Sequence, residues 1–165
     1  LLSQAIAEEK GEVPVKKSND CTMDVQIDAY IPNEYIPSMA QRLDIYKRIA
    51  VISTNDQRMD MIDELTDRYG EPNKSVLGLI DISLYRNMSS TIGINYIGLQ
   101  DSWVTFHSAY FTDDDISKLN KIFKGRMCSD LSKDKKSINV KLNKGEKATK
   151  VMELLLTTLM PQNSK

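Results

Sequence analysis

Ile94-Asn95-Tyr96-Ile97-Gly98-Leu99-Gln100-Asp101-Ser102-Trp103-Val104-Thr105-Phe106-His107 is the stretch that decides the fold. Two β-rich runs, Ile94 to Leu99 and Trp103 to His107, flank the turn-like tripeptide Gln100-Asp101-Ser102, which predicts a hairpin of neighbouring antiparallel strands. What lies before it is helical. Upstream, Val76, Leu77, Ile80, Leu84 and Met88 form an apolar stripe ending at Gly93, with Pro72 suited to a first helical turn. Before that, Thr54 and Gln57 have capping-box spacing and Gly70 is a stop signal, so a helix is predicted from about Asn55 to Tyr69. A further helix, with Met39, Leu43, Tyr46, Ile49 and Ala50 on its apolar face, is expected to end near Ser53.

Farther upstream, Asp24-Val25-Gln26-Ile27-Asp28-Ala29-Tyr30-Ile31 alternates polar and apolar residues, so Val25, Ile27, Ala29 and Ile31 are expected to line the buried face of a strand stopped by Pro32. Downstream of the hairpin, Thr112 and Asp115 repeat the cap signal, and Ile116, Leu119, Ile122 and Phe123 continue as a helix to Gly125. Ser137 to Leu142 alternates as a strand, and Val151, Leu154, Leu155 and Leu159 mark a last helix. The order β-ααα-ββ-α-β-α groups like elements together. That favours an α+β fold with a small, mostly antiparallel sheet covered by helices over a doubly wound parallel sheet.

The chain has 165 residues, 41% hydrophobic and 27% charged, which are ordinary values for a globular domain. No apolar run approaches the roughly 20 residues of a membrane span. Its first residue is Leu1 rather than methionine, and no secretory signal pattern follows, so it reads as a fragment of a longer protein. Residues 1–9 suggest the end of a helix and residues 10–19 a polar linker, with the domain proper from 20 to 165. Two distant cysteines, Cys21 and Cys128, cannot build a disulfide scaffold or a zinc site, and a reducing cytoplasm is the expected compartment. The net charge of −1 hides an asymmetry: residues 1–117 carry 10 basic and 19 acidic side chains (−9), residues 118–165 carry 12 and 4 (+8).

Catalytic constellations are missing. None of the seven glycines belongs to a phosphate-binding G-x-x-x-x-G-K-[ST] or G-x-G-x-x-G motif. The single histidine, His107, has no triad or metal-motif context, and Cys128 reads more simply as a buried thiol than as a nucleophile. Asp113, Asp114 and Asp115 lack calcium-loop spacing, and a helix first turn already explains their charge. No catalytic residue, metal ligand or cofactor of this segment is expected.

The most informative surface runs from Asp60 to Gly70. At about 100° per residue, Met61, Ile62, Leu65 and Tyr69 share one helix face, while Asp60, Glu64 and Arg68 form an adjoining stripe with Asp67 beside it. One reading is a solvated face with a weak Glu64–Arg68 pair. The other is a fixed charged patch that meets a complementary one on a partner, where such pairs give register and specificity.

The succession Asp24 to Pro32, Tyr35-Ile36-Pro37, Arg42-Leu43-Asp44-Ile45-Tyr46-Lys47-Arg48-Ile49-Ala50, and Glu64-Leu65-Thr66-Asp67-Arg68-Tyr69-Gly70 with Pro72 resembles the C-terminal domain of bacterial transcription-repair coupling factors, the Mfd family. The resemblance is close over about residues 20–95; residues 95–165 fit in length and element order. Residues 1–11 look like the tail of the preceding translocase module. The resemblance implies a parent that is an ATP-driven, magnesium-dependent translocase on double-stranded DNA, displacing stalled RNA polymerase and recruiting UvrA, with its motor domains outside this segment. It further implies that this domain docks on the parent's N-terminal UvrB-like module and masks UvrA binding. Carried over residue by residue, the docking contacts fall on Glu64, Asp67 and Arg68, with Asp60, Arg42 and Arg48 supporting or peripheral.

A competing class is a nucleic-acid module using Lys133, Lys135, Lys136, Lys141, Lys144, Lys147 and Lys150, with Trp103, Phe106 and Tyr110 as stacking groups. A lysine-rich hairpin equally well protects a sheet edge.

Overall fold

The computed structural model describes residues 21–132 and 136–161. The helical stub and linker expected over residues 1–19 lie outside them, as do Lys133 and Lys135. Helices α1 (Met39–Ala50), α2 (Asn55–Tyr69) and α3 (Lys74–Ile92) separate the short strand β1 (Thr22–Asp24) from the hairpin β2 (Tyr96–Gln100) and β3 (Trp103–His107). Then come α4 (Asp113–Phe123), β4 (Met127–Asp130), β5 (Ser137–Lys141) and α5 (Ala148–Leu159). The strands form one sheet in the order β1-β2-β3-β5-β4, parallel only between β1 and β2. An α+β fold with a mostly antiparallel sheet is what the element order implied.

The sheet's helix-covered face is built by period-two alternation. Ile97 stands opposite Phe106, and Phe106 opposite Ile138, while Val104 faces Val140. All five of these side chains have no solvent exposure. Tyr96, Trp103, Thr105 and His107, on the other face, are half-buried. Helix α3 packs against α1, α2 and α5, and its buried residues (Val76, Ile80, Ile82, Leu84, Tyr85, Met88, Ser89) go round most of its circumference. An amphipathic stripe alone therefore understates it: α3 is the central helix. Phe123 of α4 and Met152, Leu155 and Leu156 of α5 complete the core.

Five local expectations are corrected. Strand pairing ends at Asp24 rather than Ile31, although burial still alternates through Ile31. The chain leaves the ladder there because it crosses α3: the Tyr30 N–H donates to the Ser75 carbonyl at 3.1 Å, and a Cβ on Gly78 would overlap the Asp28 carbonyl oxygen. The hairpin turn has two residues, since Gln100 pairs with Trp103, and both Asp101 (φ 52°) and Ser102 (φ 68°) are left-handed, the type I′ geometry. Pro72 lies before the third helix rather than in its first turn, because Asn73 is the cap and accepts from the Val76 N–H at 3.1 Å. A fifth strand, β4, was not expected. Its Met127-Cys128-Ser129-Asp130 sequence has no apolar alternation and serves as an edge, and Cys128 is exposed there rather than buried. Cys21 is the buried thiol, and burial pushes its pKa up to about 11.

The turn yields a stability prediction. Replacing Ser102 by glycine removes a left-handed penalty of roughly 1 kcal/mol, so the variant unfolds at higher urea concentration than the parent sequence. An unchanged or lowered midpoint contradicts the turn assignment.

Candidate docking face on helix α2

Helix α2 starts at Thr54, whose Oγ1 accepts the Gln57 N–H at 3.1 Å. The reciprocal bond differs from a capping box: Gln57 Oε1 accepts from the Ser53 N–H at 2.8 Å, one residue upstream of the cap. That fastens the α1–α2 loop to the start of the helix. The helix ends at Gly70, φ 88°, and the Tyr35 hydroxyl donates to the Gly70 carbonyl at 2.6 Å. Met61 and Leu65 bury one side, as expected.

The adjoining side carries the charged stripe, and the structure joins it to α1. Arg48 grips Glu64 with both guanidinium arms, Nη1 to Oε2 at 2.7 Å and Nη2 to Oε1. Arg68 Nη1 reaches the same Oε2 at 3.1 Å from one turn away. The bond from Arg48 is the first cause that holds the Glu64 carboxyl down to about 2, and Arg68 adds to it. Arg48 is thus an anchor between helices that supports Glu64 from α1. Glu64 is occupied within the domain, whereas Asp60 and Asp67 are exposed and form no ion pair among the described residues. Arg68 also stacks over the Tyr69 ring at 5.0 Å. Arg42 stands apart, donating to the Ile36 and Pro37 carbonyls at 2.8 and 3.0 Å and so closing the loop before α1. The Tyr46 hydroxyl accepts the Ile31 N–H at 2.8 Å, a packing role.

A groove of about 280 Å³ runs beside this cluster, lined by Arg48, Val51, Ile52, Asp60, Met61 and Glu64. Val51 on its rim is 72% exposed. Of the face of α1 expected to be core, Ile49 is buried and Tyr46 half-buried, but Met39 and Leu43 are 66% and 53% exposed and Ala50 is exposed; Ile45, not expected there, is buried instead. The helix is rotated because Arg48 must face α2 while Ile45 and Ile49 face the central helix. It also stops at Ala50, short of Ser53.

Glu64 supplies a pH test. Its folded value lies below its ordinary 4.5, so the stability it contributes is present above about 4.5 and is lost as pH falls through about 2. Because the side chain is 35% exposed, solvent screening keeps the contribution to about 1 kcal/mol or less. Urea unfolding of Glu64→Gln against the parent sequence should differ at neutral pH and converge near pH 2; a pH-independent gap contradicts the ion-pair assignment.

The remaining candidates are dispersed. Asp115 is spent on a capping box, its Oδ2 accepting from the Thr112 N–H at 2.9 Å, and Asp114 pairs with Lys118 at 3.2 Å. Among the described residues no group of three His, Cys, Asp or Glu side chains could hold a metal ion, and no helix is long and apolar enough to cross a membrane. His107 rests against the Tyr96 ring, centroids 5.1 Å apart. Phe106 has no exposure and cannot stack on a base. Lys136 Nζ is tied to the Phe111 carbonyl at 3.1 Å, and Lys141 lies over the Trp103 ring at 5.7 Å.

A family model described as the TRCF domain matches residues 25–122, more than half of the sequence. The chain belongs to the TRCF domain family. Over 83 residues, half of its length, it is 35% identical to the transcription-repair-coupling factors of Bacillus subtilis (strain 168) and Staphylococcus aureus (strain USA300). The match spans 7% of each of those proteins. The crystal structure of the C-terminal domain of a transcription-repair coupling factor superposes with a TM-score of 0.74, covering 89% of this chain and 92% of that one at 22% identity. The family match runs to residue 122, beyond residue 95, the expected end of close resemblance, and the shared fold covers 89% of the chain.

Proposed function

We propose that this TRCF domain is a non-catalytic docking module of a transcription-repair coupling factor, and that the α2 face holds it against the parent's N-terminal UvrB-like module, hiding the surface that recruits UvrA. The observation that carries this reading is the division of labour within the stripe. Arg48, Glu64 and Arg68 form a braced platform; Asp60 lines a groove with an apolar rim beside it, and Asp67 is exposed in the last turn of the helix. Unspent carboxylates on a rigid helix suit basic side chains of a partner, and charge pairs of this kind favour specificity and fast encounter over great strength. Restraint needs a contact that can open, and a coupling of about 1–3 kcal/mol is enough to bias a two-state molecule. ATP, magnesium and double-stranded DNA belong to the parent's motor domains in this reading, and RNA polymerase engagement releases the contact.

The test uses the full-length parent. Reversing Glu64 and Asp67 to arginine should raise basal ATPase activity and UvrA binding; unchanged values in both overturn the proposal. The nucleic-acid reading predicts instead that the isolated domain shifts duplex or single-stranded DNA in a salt-dependent way. With Phe106 buried, only Trp103 and Tyr110 of the three stacking candidates reach the surface.

A further inference from the structure

We propose that the open sheet edge formed by β1 and its unpaired continuation, residues 22–29, takes an extended strand of a basic partner by main-chain pairing. The sequence from Asp24 to Ile31 has strand alternation, yet only Thr22–Asp24 is laddered. Past Asp24 the chain keeps the alternation without the ladder: Val25, Ile27 and Ala29 are half-buried, and Gln26, Asp28 and Tyr30 are exposed. Among the described residues, no main-chain group from Gln26 to Ala29 makes a hydrogen bond, and the first that does is the Tyr30 N–H to Ser75. The same residues diverge from the hairpin, so that a cavity of about 550 Å³ opens between Val25–Asp28, Leu99, Leu142 and the first turns of α3 and α5. Among the described residues, β1 is the terminal strand of the sheet and pairs only with β2.

Exposed edges of this kind are usually blunted by lysine, proline or a bulge. None of these occurs between Thr22 and Ile31. A segment with strand-like alternation and unpaired peptide groups suits the receptor half of strand addition, in which the main chain supplies affinity and alternate side chains supply selectivity. The selectivity is electrostatic. From Cys21 to Gln41 the chain carries Asp24, Asp28 and Glu34 and no lysine, arginine or histidine. Asp24 and Asp28, both exposed, share one face of the extended segment. Cross-strand opposite charges stabilise and like charges directly opposite destabilise. Antiparallel pairing of two copies through this edge would set carboxylates against carboxylates, so the occupant is a foreign strand with lysine or arginine at alternate positions.

The experiment titrates the whole chain with a capped octapeptide of alternating lysine and valine, and with a control in which proline replaces every valine. Amide hydrogen exchange is read residue by residue. The expected result is that alternate amides from Met23 to Ala29 exchange about tenfold more slowly or slower still at millimolar peptide. The proline control has no effect, and protection is lost in Asp24→Lys/Asp28→Lys, whose midpoint of unfolding stays put. The proposal is overturned by no protection, by protection that survives the double substitution, by protection confined to the Met127–Asp130 edge, or by amides already protected in a self-associated chain. None of these outcomes bears on docking through α2, which the double substitution leaves intact.

Discussion

Gly78→Val lowers the free energy of unfolding by about 3 kcal/mol, the upper part of the range for forcing extra carbon into a filled site. Helix propensity argues the other way. A glycine inside a helix costs up to about 1 kcal/mol relative to alanine, so most substitutions of a mid-helix glycine stabilise. Here the first side-chain carbon would come within 2.1 Å of the Asp28 carbonyl oxygen, with the Ile27 side chain also at 3.2 Å. These are backbone and branched groups that cannot swing aside. The crossing segment must lift from α3, taking with it the bonds from Tyr30 to Ser75 and from Ile31 to the Tyr46 hydroxyl. Urea unfolding of Gly78→Ala and Gly78→Val should show a loss that grows with side-chain size. A gain in both would mean that the segment does not cross there.

On the proposed docking, Asp67→Arg should weaken binding to a UvrB-like module about 5- to 150-fold, the span of ordinary coupling energies, while leaving the isolated domain's stability within about 0.5 kcal/mol. Asp67 is exposed and spends nothing on its own fold. Glu64→Arg behaves differently. It removes the acceptor shared by Arg48 and Arg68 and gathers three guanidinium groups where one carboxylate had balanced two. That variant should lose docking and also destabilise the isolated domain, by about 1 kcal/mol or more. Comparing the two separates a contact made with the partner from a brace that positions it. Equal docking by Asp67→Arg and the parent sequence would remove Asp67 from the proposed face.

The fold was legible where one periodicity dominates and a cap or turn signal bounds it. Thr54 and Gly70 delimit α2 at the residues predicted, and Thr112 does the same for α4. The errors fall where tertiary contacts overrule local pattern. Asp24 to Ile31 keeps strand-like alternation but lies partly on α3, a placement set by a glycine some fifty residues away in sequence. β4 was invisible because a four-residue edge strand buries too little to need apolar alternation. The stripe on α2 could be drawn from spacing alone, but its decisive partner could not. Arg48 sits on another helix, brought against Glu64 by tertiary contacts such as the Ser53–Gln57 loop bond and the Tyr69–Gln41 bond between the helices. Sequence spacing favoured the pair Glu64–Arg68, which at 3.1 Å and one arm is the lesser of the two contacts.

Docking itself is measured by titrating this chain against the parent's isolated N-terminal UvrB-like module at low and at high ionic strength. Direct binding that weakens as salt rises, and that falls at least several-fold in Asp67→Arg, is the expected result. No binding at low salt, or equal affinity for Asp67→Arg and the parent sequence, would contradict the role given to the α2 face.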